Sequence, residues 1–183
     1  MTNNVCLNSL ATFTDLSNPN GGVITSWQWD FENDGIVDDN NQNTTNTYLN
    51  PGVYNVQLIV SSGAGCSDTI IRQIEIYPEP SASFSANDDC FGNPITFTDN
   101  STVGSGTITT WQWDFGNSNT SNVQYPSHNY SNDGVFTVQL IVTTDNGCSD
   151  TIAQPINVYP LPVVSFSPTE VCLNTPTQFL DLS

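Results

Sequence analysis

The residues from Trp29 to Asn41, WDFENDGIVDDNN, gather five carboxylates (Asp30, Glu32, Asp34, Asp38 and Asp39) in a chain whose lone Lys/Arg-type side chain is Arg72. Counted from Asp30, acids stand at positions one, three, five and nine, with Gly35 at six. Alternating oxygens can converge on one hard cation, and a glycine permits the sharp turn that brings them round. Without a counter-ion, the charges of Asp30, Glu32, Asp34 and Asp38 repel one another. These four are the candidate calcium ligands, and calcium, in a structural role, is the one cofactor suggested. The competing reading is a polar turn between two strands.

No catalytic set accompanies them. With no Lys, one His and one Arg, acyl-transfer triads and phosphate clamps lack their usual parts. Adjacent Asp38 and Asp39 formally suit glycoside hydrolysis, but neighbouring acids on a surface loop more often serve a turn or a metal. The five cysteines are not in close pairs, which argues against zinc. The expectation is a protein that is not an enzyme.

Eighteen Asp and Glu give a formal net charge of -17. Such a field repels phosphates and anionic lipid heads, so neither nucleic acid nor a membrane surface is an expected partner. No apolar run is long enough to span a bilayer, and the opening MTNNVCLNSL lacks the basic and apolar regions of a signal peptide. A targeting signal for an exported protein would lie outside this sequence.

The elements that position these residues come in repeats. ITSWQWDF returns as ITTWQWDF 84 positions later (24 to 108), and GCSDTI returns with a shift of 82 (Cys66 to Cys148). Repeat two is two residues shorter, and the loss falls in the acidic loop. Tyr-Pro-x-Pro segments, Tyr77–Pro80 and Tyr159–Pro162, read as short semi-rigid joints. The domains are therefore 1–80, a repeat lacking its first strand; 81–162, a complete repeat; and 163–183, the first two strands of a third. Within them the hydrophobic period is two: Thr25, Trp27, Trp29 and Phe31 share one strand face, and Tyr54, Val56, Leu58 and Val60 another. Short strands between Gly, Pro and Asn turns predict all-β, antiparallel sandwiches.

Three motifs, WDFGN at Trp113–Asn117, YPSHNY at Tyr125–Tyr130 and GVFTVQLIV at Gly134–Val142, resemble the PKD (polycystic kidney disease) domain. The resemblance covers nearly the whole chain as tandem units and implies a seven-stranded, immunoglobulin-like fold found in extracellular proteins. Repeat one departs from the pattern, with Asn46 at the His position, Thr44 at the Pro position and the acidic insert in place of Gly-Asp-Gly. The Cys-bearing version is similar to arrays in surface adhesins of gliding, biofilm-forming bacteria that use type IX secretion.

On a sandwich of that strand order, the connections before the second strand and before the last lie at one end. This implies disulfides Cys6 to Cys66 and Cys90 to Cys148 in an oxidising compartment, with Cys172 left over; buried thiols are the alternative. Each bridge would close a loop of roughly sixty residues and contribute about 4 kcal/mol. PKD-like domains sometimes bind calcium at related loops, although the acidic loop is not an EF-hand: Glu32 stands at position three, Asn41 at twelve, and strands flank it. His128 is expected to order the turn before Tyr130. Asp-Thr-Ile at Asp68–Ile70 and Asp150–Ile152 resembles an O-glycosylation acceptor of the same bacteria, making Thr69 and Thr151 candidates against an ordinary strand start. Trp27 and Trp111, the outer members of their pairs, are candidates for sugar stacking, against core packing.

These readings converge on a structural segment of a secreted or cell-surface adhesin, stalk or filament, whose partners are neighbouring repeats or like subunits. Polymerisation by strand donation, the tail of one molecule filling the gap in the next, competes with a window on a longer continuous array. The alternative is polysaccharide-binding accessory modules of a secreted hydrolase.

Overall fold

The period-two pattern becomes strand throughout this computed structural model, which describes residues 4–168 and 170–181, and no helix occurs among them. Met1–Asn3 of the first predicted domain and Thr169, Leu182 and Ser183 of the third lie outside the described residues. Repeat one supplies β1 (Val5–Cys6), β2 (Leu10–Phe13), β3 (Ile24–Asp30), β4 (Thr44–Thr47), β5 (Gly52–Ser62) and β6 (Ser67–Tyr77). Its sheets run β1-β6-β5-β3 and β2-β4. Repeat two supplies β7 (Phe84–Ala86), β8 (Asp89–Cys90), β9 (Ile95–Asp99), β10 (Ile108–Asp114), β11 (Thr120–Ser121), β12 (Ser127–His128), β13 (Gly134–Thr144) and β14 (Ser149–Tyr159). Its sheets run β11-β10-β13-β14-β8 and β12-β9-β7. Beyond the second joint, β15 (Phe166–Pro168) pairs with β16 (Phe179–Asp181).

The long hairpins follow from alternation on both arms and a turn that closes tightly. β5 and β6 pair antiparallel from Gly52↔Ile76 to Ser61↔Ser67. Gly65 (φ 83°) and Gly147 (φ 82°) hold the left-handed turn position in the two repeats, where a side chain is strained. In repeat one Ala11 and Phe13 of one sheet meet Trp29, Val56, Leu58, Ile74 and Ile76 of the other in one buried cluster. The tandem all-β, immunoglobulin-like organisation expected from the sequence is thus present.

By compactness the chain divides into two units, residues 1–83, 101–111 and 141–151, and residues 84–100, 112–140 and 152–183. The first unit contains the core of repeat one and a disulfide between Cys6 and Cys148, with S–S 2.02 Å and Cα–Cα 5.6 Å. Cys66, Cys90 and Cys172 are free thiols. This corrects the expected pairs Cys6 to Cys66 and Cys90 to Cys148. The two-residue β1 lies parallel to the far end of β6, Val5 on Ile76 and Cys6 on Tyr77, while Cys66 precedes the near end. Eleven strand residues span about 35 Å, whereas disulfide Cα atoms must approach within about 7 Å. In repeat two, Cys90 lies beside Tyr159 and Cys148 precedes Ser149, at opposite ends of β14. The short strand, invisible as periodicity, carries the first cysteine of each repeat to the joint.

Candidate functional site

The acidic loop begins where β3 ends and folds straight back on it. The Trp29 amide donates to the Asp39 carbonyl and the Asp38 amide to the Trp29 carbonyl, both at 2.8 Å. Asp30, buried, accepts hydrogen bonds from the Asp34 amide (3.1 Å) and the Gly35 amide (2.8 Å), so its carboxylate organises the turn. Asp38 Oδ2 accepts the Phe31 amide at 2.7 Å. Asp30, Glu32 and Asp38 each bring one carboxylate oxygen within 4.8 Å of the others. Burial, then the charges of Asp38, Asp34 and Asp30, push the Glu32 carboxyl above its ordinary value. Such a trio can relieve its repulsion by keeping a proton on Glu32 or by taking up a cation.

Of the four candidate ligands, Asp34 stands outside this group, its Oδ1 accepting the Ile36 amide at 2.9 Å. Adjacent Asp38 and Asp39 serve different partners: Asp39 accepts Thr44 Oγ1 (2.5 Å) and the Asn41 amide (2.7 Å), which hold its carboxyl below the usual range. Asp15, another acid the sequence reading passed over, accepts the Trp27 indole N–H at 2.7 Å. No spacing rule relates it to Trp27; the two meet only through the fold.

A second feature is a groove of about 1250 Å³ in repeat one, walled by Phe13, Trp29, Val56, Leu58 and Val60, with Cys66 among the lining residues. In repeat two the corresponding place is filled. Phe84 on β7 packs its ring on Trp113 (5.2 Å between centroids) and Phe97 (6.2 Å), the counterparts of Trp29 and Phe13. The second sheet of repeat two has three strands because β7 pairs with β9, whereas among the described residues β2 in repeat one pairs with β4 alone. In the tail, Phe166 occupies the place in its sequence block that Phe84 has in repeat two, and it is 65% exposed.

The remaining candidates divide. Trp29 and Trp113 are buried, with indole N–H groups donating to the carbonyls of Asn41 (2.9 Å) and Val123 (3.0 Å). Trp27 and Trp111 are half-buried, and Trp27 packs against the core cluster. His128 stacks on Phe115 with centroids 4.2 Å apart and sits edge-on to Tyr130, and burial lowers its pKa. The Tyr130 hydroxyl donates to the Phe115 carbonyl at 3.1 Å, as Tyr48 does to Phe31 at 3.3 Å. His128 is thus a packing element of the turn. Thr69 and Thr151 are exposed near the starts of β6 and β14.

Comparison with known proteins places these features in context. The PKD domain matches residues 1–76 and 77–158. The pre-pro-metalloprotease PrtV of Vibrio cholerae serotype O1 is 45% identical over 53 residues, 29% of this chain and 6% of that protein. A microbial collagenase of Vibrio alginolyticus is 37% identical over 79 residues, 42% of this chain and 10% of that protein. The chain thus spans a tenth or less of these relatives. Among solved structures, the PKD1 domain of the Vibrio cholerae metalloprotease PrtV superposes with a TM-score of 0.42 at 34% identity, covering 44% of this chain and 98% of that one. Fibronectin(III)-like modules of Clostridium thermocellum CbhA give 0.47 at 8% identity, covering 87% and 90%.

Proposed function

The chain belongs to the PKD domain family, and we propose on that premise that it is a structural segment of an extracellular adhesin, stalk or filament whose modules join end to end. PKD domains are non-catalytic modules, so the mechanism is reach and mechanical strength. The observation that carries this reading is the open groove of repeat one, which matches the seat of Phe84 in repeat two. A strand bearing an aromatic residue fills it, and β15, with Phe166 exposed, is such a strand on a second copy. Strand addition to an open sheet edge supplies main-chain hydrogen bonds for affinity and a pocket for register. An extracellular location fits a disulfide-bearing chain.

Light scattering over a concentration series tests the joining. Association that Phe166→Ala weakens supports it; monomers at high concentration, with a protease-sensitive tail, overturn it. Calcium held by Asp30, Glu32 and Asp38 would stiffen one module, and a titration with neither heat nor a rise in melting temperature removes that part. Glycans on Thr69 or Thr151 would appear as added mass on the peptides that carry them.

The metalloprotease and collagenase relatives support a second form of the reading, modules that accompany a hydrolase. Polysaccharide binding through Trp27 or Trp111 then predicts a glycan-dependent fluorescence shift that Trp27→Phe or Trp111→Phe reduces.

A further inference from the structure

His128 is the chain's one histidine, and its neighbours fix both the place and the proton of its ring. It lies on β12, where it pairs with Ile95 of β9. The imidazole lies flat on Phe115, 4.2 Å between centroids and 4° between planes, with Tyr130 edge-on at 4.7 Å. Tyr130 in turn stacks on Phe136 of β13 at 4.2 Å. The remaining contact is polar: His128 Nε2 and Asn117 Nδ2 are 3.0 Å apart.

The other end of Asn117 decides which of these atoms donates. Its Oδ1 accepts the Asn119 amide at 3.3 Å, and the Asn119 carbonyl accepts the Phe115 amide at 3.0 Å. The side-chain nitrogen therefore faces the ring, and an amide nitrogen only donates, so Nε2 accepts and the neutral ring keeps its proton on Nδ1. A charged imidazole carries N–H on both nitrogens, which sets donor against donor across 3.0 Å. Turning the Asn117 amide to offer its oxygen forfeits the Asn119 bond and points its NH2 group at that amide.

We propose that His128 is a proton-operated release for β12: protonation breaks the contact with Asn117, and the short strand that carries the ring loosens from β9. The titratable groups on the elements around the ring are Asp99 of β9, Asp114 at the end of β10, Asp133 ahead of β13, and Tyr130. Asp99 accepts Gln124 Nε2 at 3.0 Å and Asp114 the Gly116 amide at 2.9 Å. Burial pushes the Tyr130 hydroxyl up to about 12, so it stays neutral. The face of Phe115 attracts a cation, yet burial prevails and holds the imidazole below its ordinary 6.5. A base lowered in this way stabilises the fold fully above its unfolded value, and that stability is lost as pH falls through the folded one. Repeat one has Asn46 at this place, on β4, which does not titrate. Asp88 and Asp89, which hydrogen bonds hold below 3.8, act beneath this window. Mild acid therefore loosens β12 and leaves β4 alone.

This release does not depend on end-to-end joining. In the untagged full chain, nitrogen-correlated NMR follows the one histidine from about pH 8 to about pH 5. The expected result is a midpoint below 6.5 and, at the alkaline end, a proton on Nδ1 alone. Hydrogen exchange of β12 quickens relative to β4 over the same span, by up to about tenfold for each pH unit between the folded and unfolded midpoints. His128→Asn, the residue of repeat one, removes that pH response. Where that variant does not fold, Asn117→Asp serves: its carboxylate accepts from the charged ring, raises the midpoint and keeps β12 closed in acid. A wild-type midpoint at or above 6.5, a neutral ring protonated on Nε2, or an equal pH response in β12 and β4 overturns the release. A midpoint that Asn117→Asp leaves in place overturns Asn117 as its trigger.

Discussion

Repeat two completes its second sheet with β7 and leaves Val138, Leu140 and Val142 at 0% exposure. Repeat one has the same residues at Val56, Leu58 and Val60 but no such strand among the described residues, and Val60 remains half-buried beside an open groove. The acids show the reverse asymmetry: repeat one carries Asp30, Glu32 and Asp38 together, while repeat two keeps Asp114 and makes its turn through Gly116. One scaffold therefore carries a charged loop in one repeat and a short glycine turn in the other at the same place. Both turns keep the acid that ends the strand, Asp30 or Asp114, as an acceptor for the loop's amides, so Glu32 and Asp38 are the additions of repeat one.

The largest test of this comparison removes the staple. Cys148→Ser opens a loop of sequence separation 142 and, in the chain-entropy model, costs about 5 kcal/mol. Cys66→Ser at the matching place, a free thiol, leaves denaturant unfolding of the monomer unchanged. Phe84→Ala should give repeat two the open groove of repeat one and cost about 4 kcal/mol, read in urea as a lower midpoint. Phe166→Ala in the exposed tail leaves the monomer's midpoint alone.

Gly116→Ala follows at about 2 to 3 kcal/mol. Gly116 has φ 76°, and a Cβ there would lie 2.6 Å from the Thr137 carbonyl oxygen. Glu32→Ala, at the equivalent position of repeat one, stays within about 0.5 kcal/mol. Glu32→Gln is the smallest change. Because the folded carboxyl is raised, the folded chain holds this proton more tightly than the unfolded one. Metal-free stability is therefore unaffected well below the unfolded value and falls as pH rises through the raised one. The variant removes that decline, so its melting temperature at neutral pH is slightly higher than wild type, and the two converge in acid. Added calcium should reverse the order.

Much of this was legible in the sequence. The shared motifs gave the tandem sandwich fold, because alternation in Tyr54–Val60 and Phe136–Val142 is a direct imprint of a half-buried sheet. The convergence of Asp30 with Glu32 and Asp38 was readable from spacing, since all lie on one short loop. The exclusion of Asp34 was not, because it depends on which backbone amide each carboxylate captures. The disulfide was misread for a specific reason: β1 and β8 are two residues long and carry no periodicity. Asp15 and Trp27 are twelve residues apart, and only three-dimensional packing pairs them.

Joining Cys6 to Cys148 also fixes how far the molecule can be drawn out. A load applied outside these two residues passes through the sulfur atoms and bypasses everything between them. Unfolding either sandwich then releases no slack within that span, and about 480 Å of potential contour, at roughly 3.4 Å per residue, stays out of reach until the bond is reduced. Under tension the span from Cys6 to Cys148 behaves as a tether of set length, and its extensibility is governed by the redox state of its surroundings rather than by the strength of the folds within it.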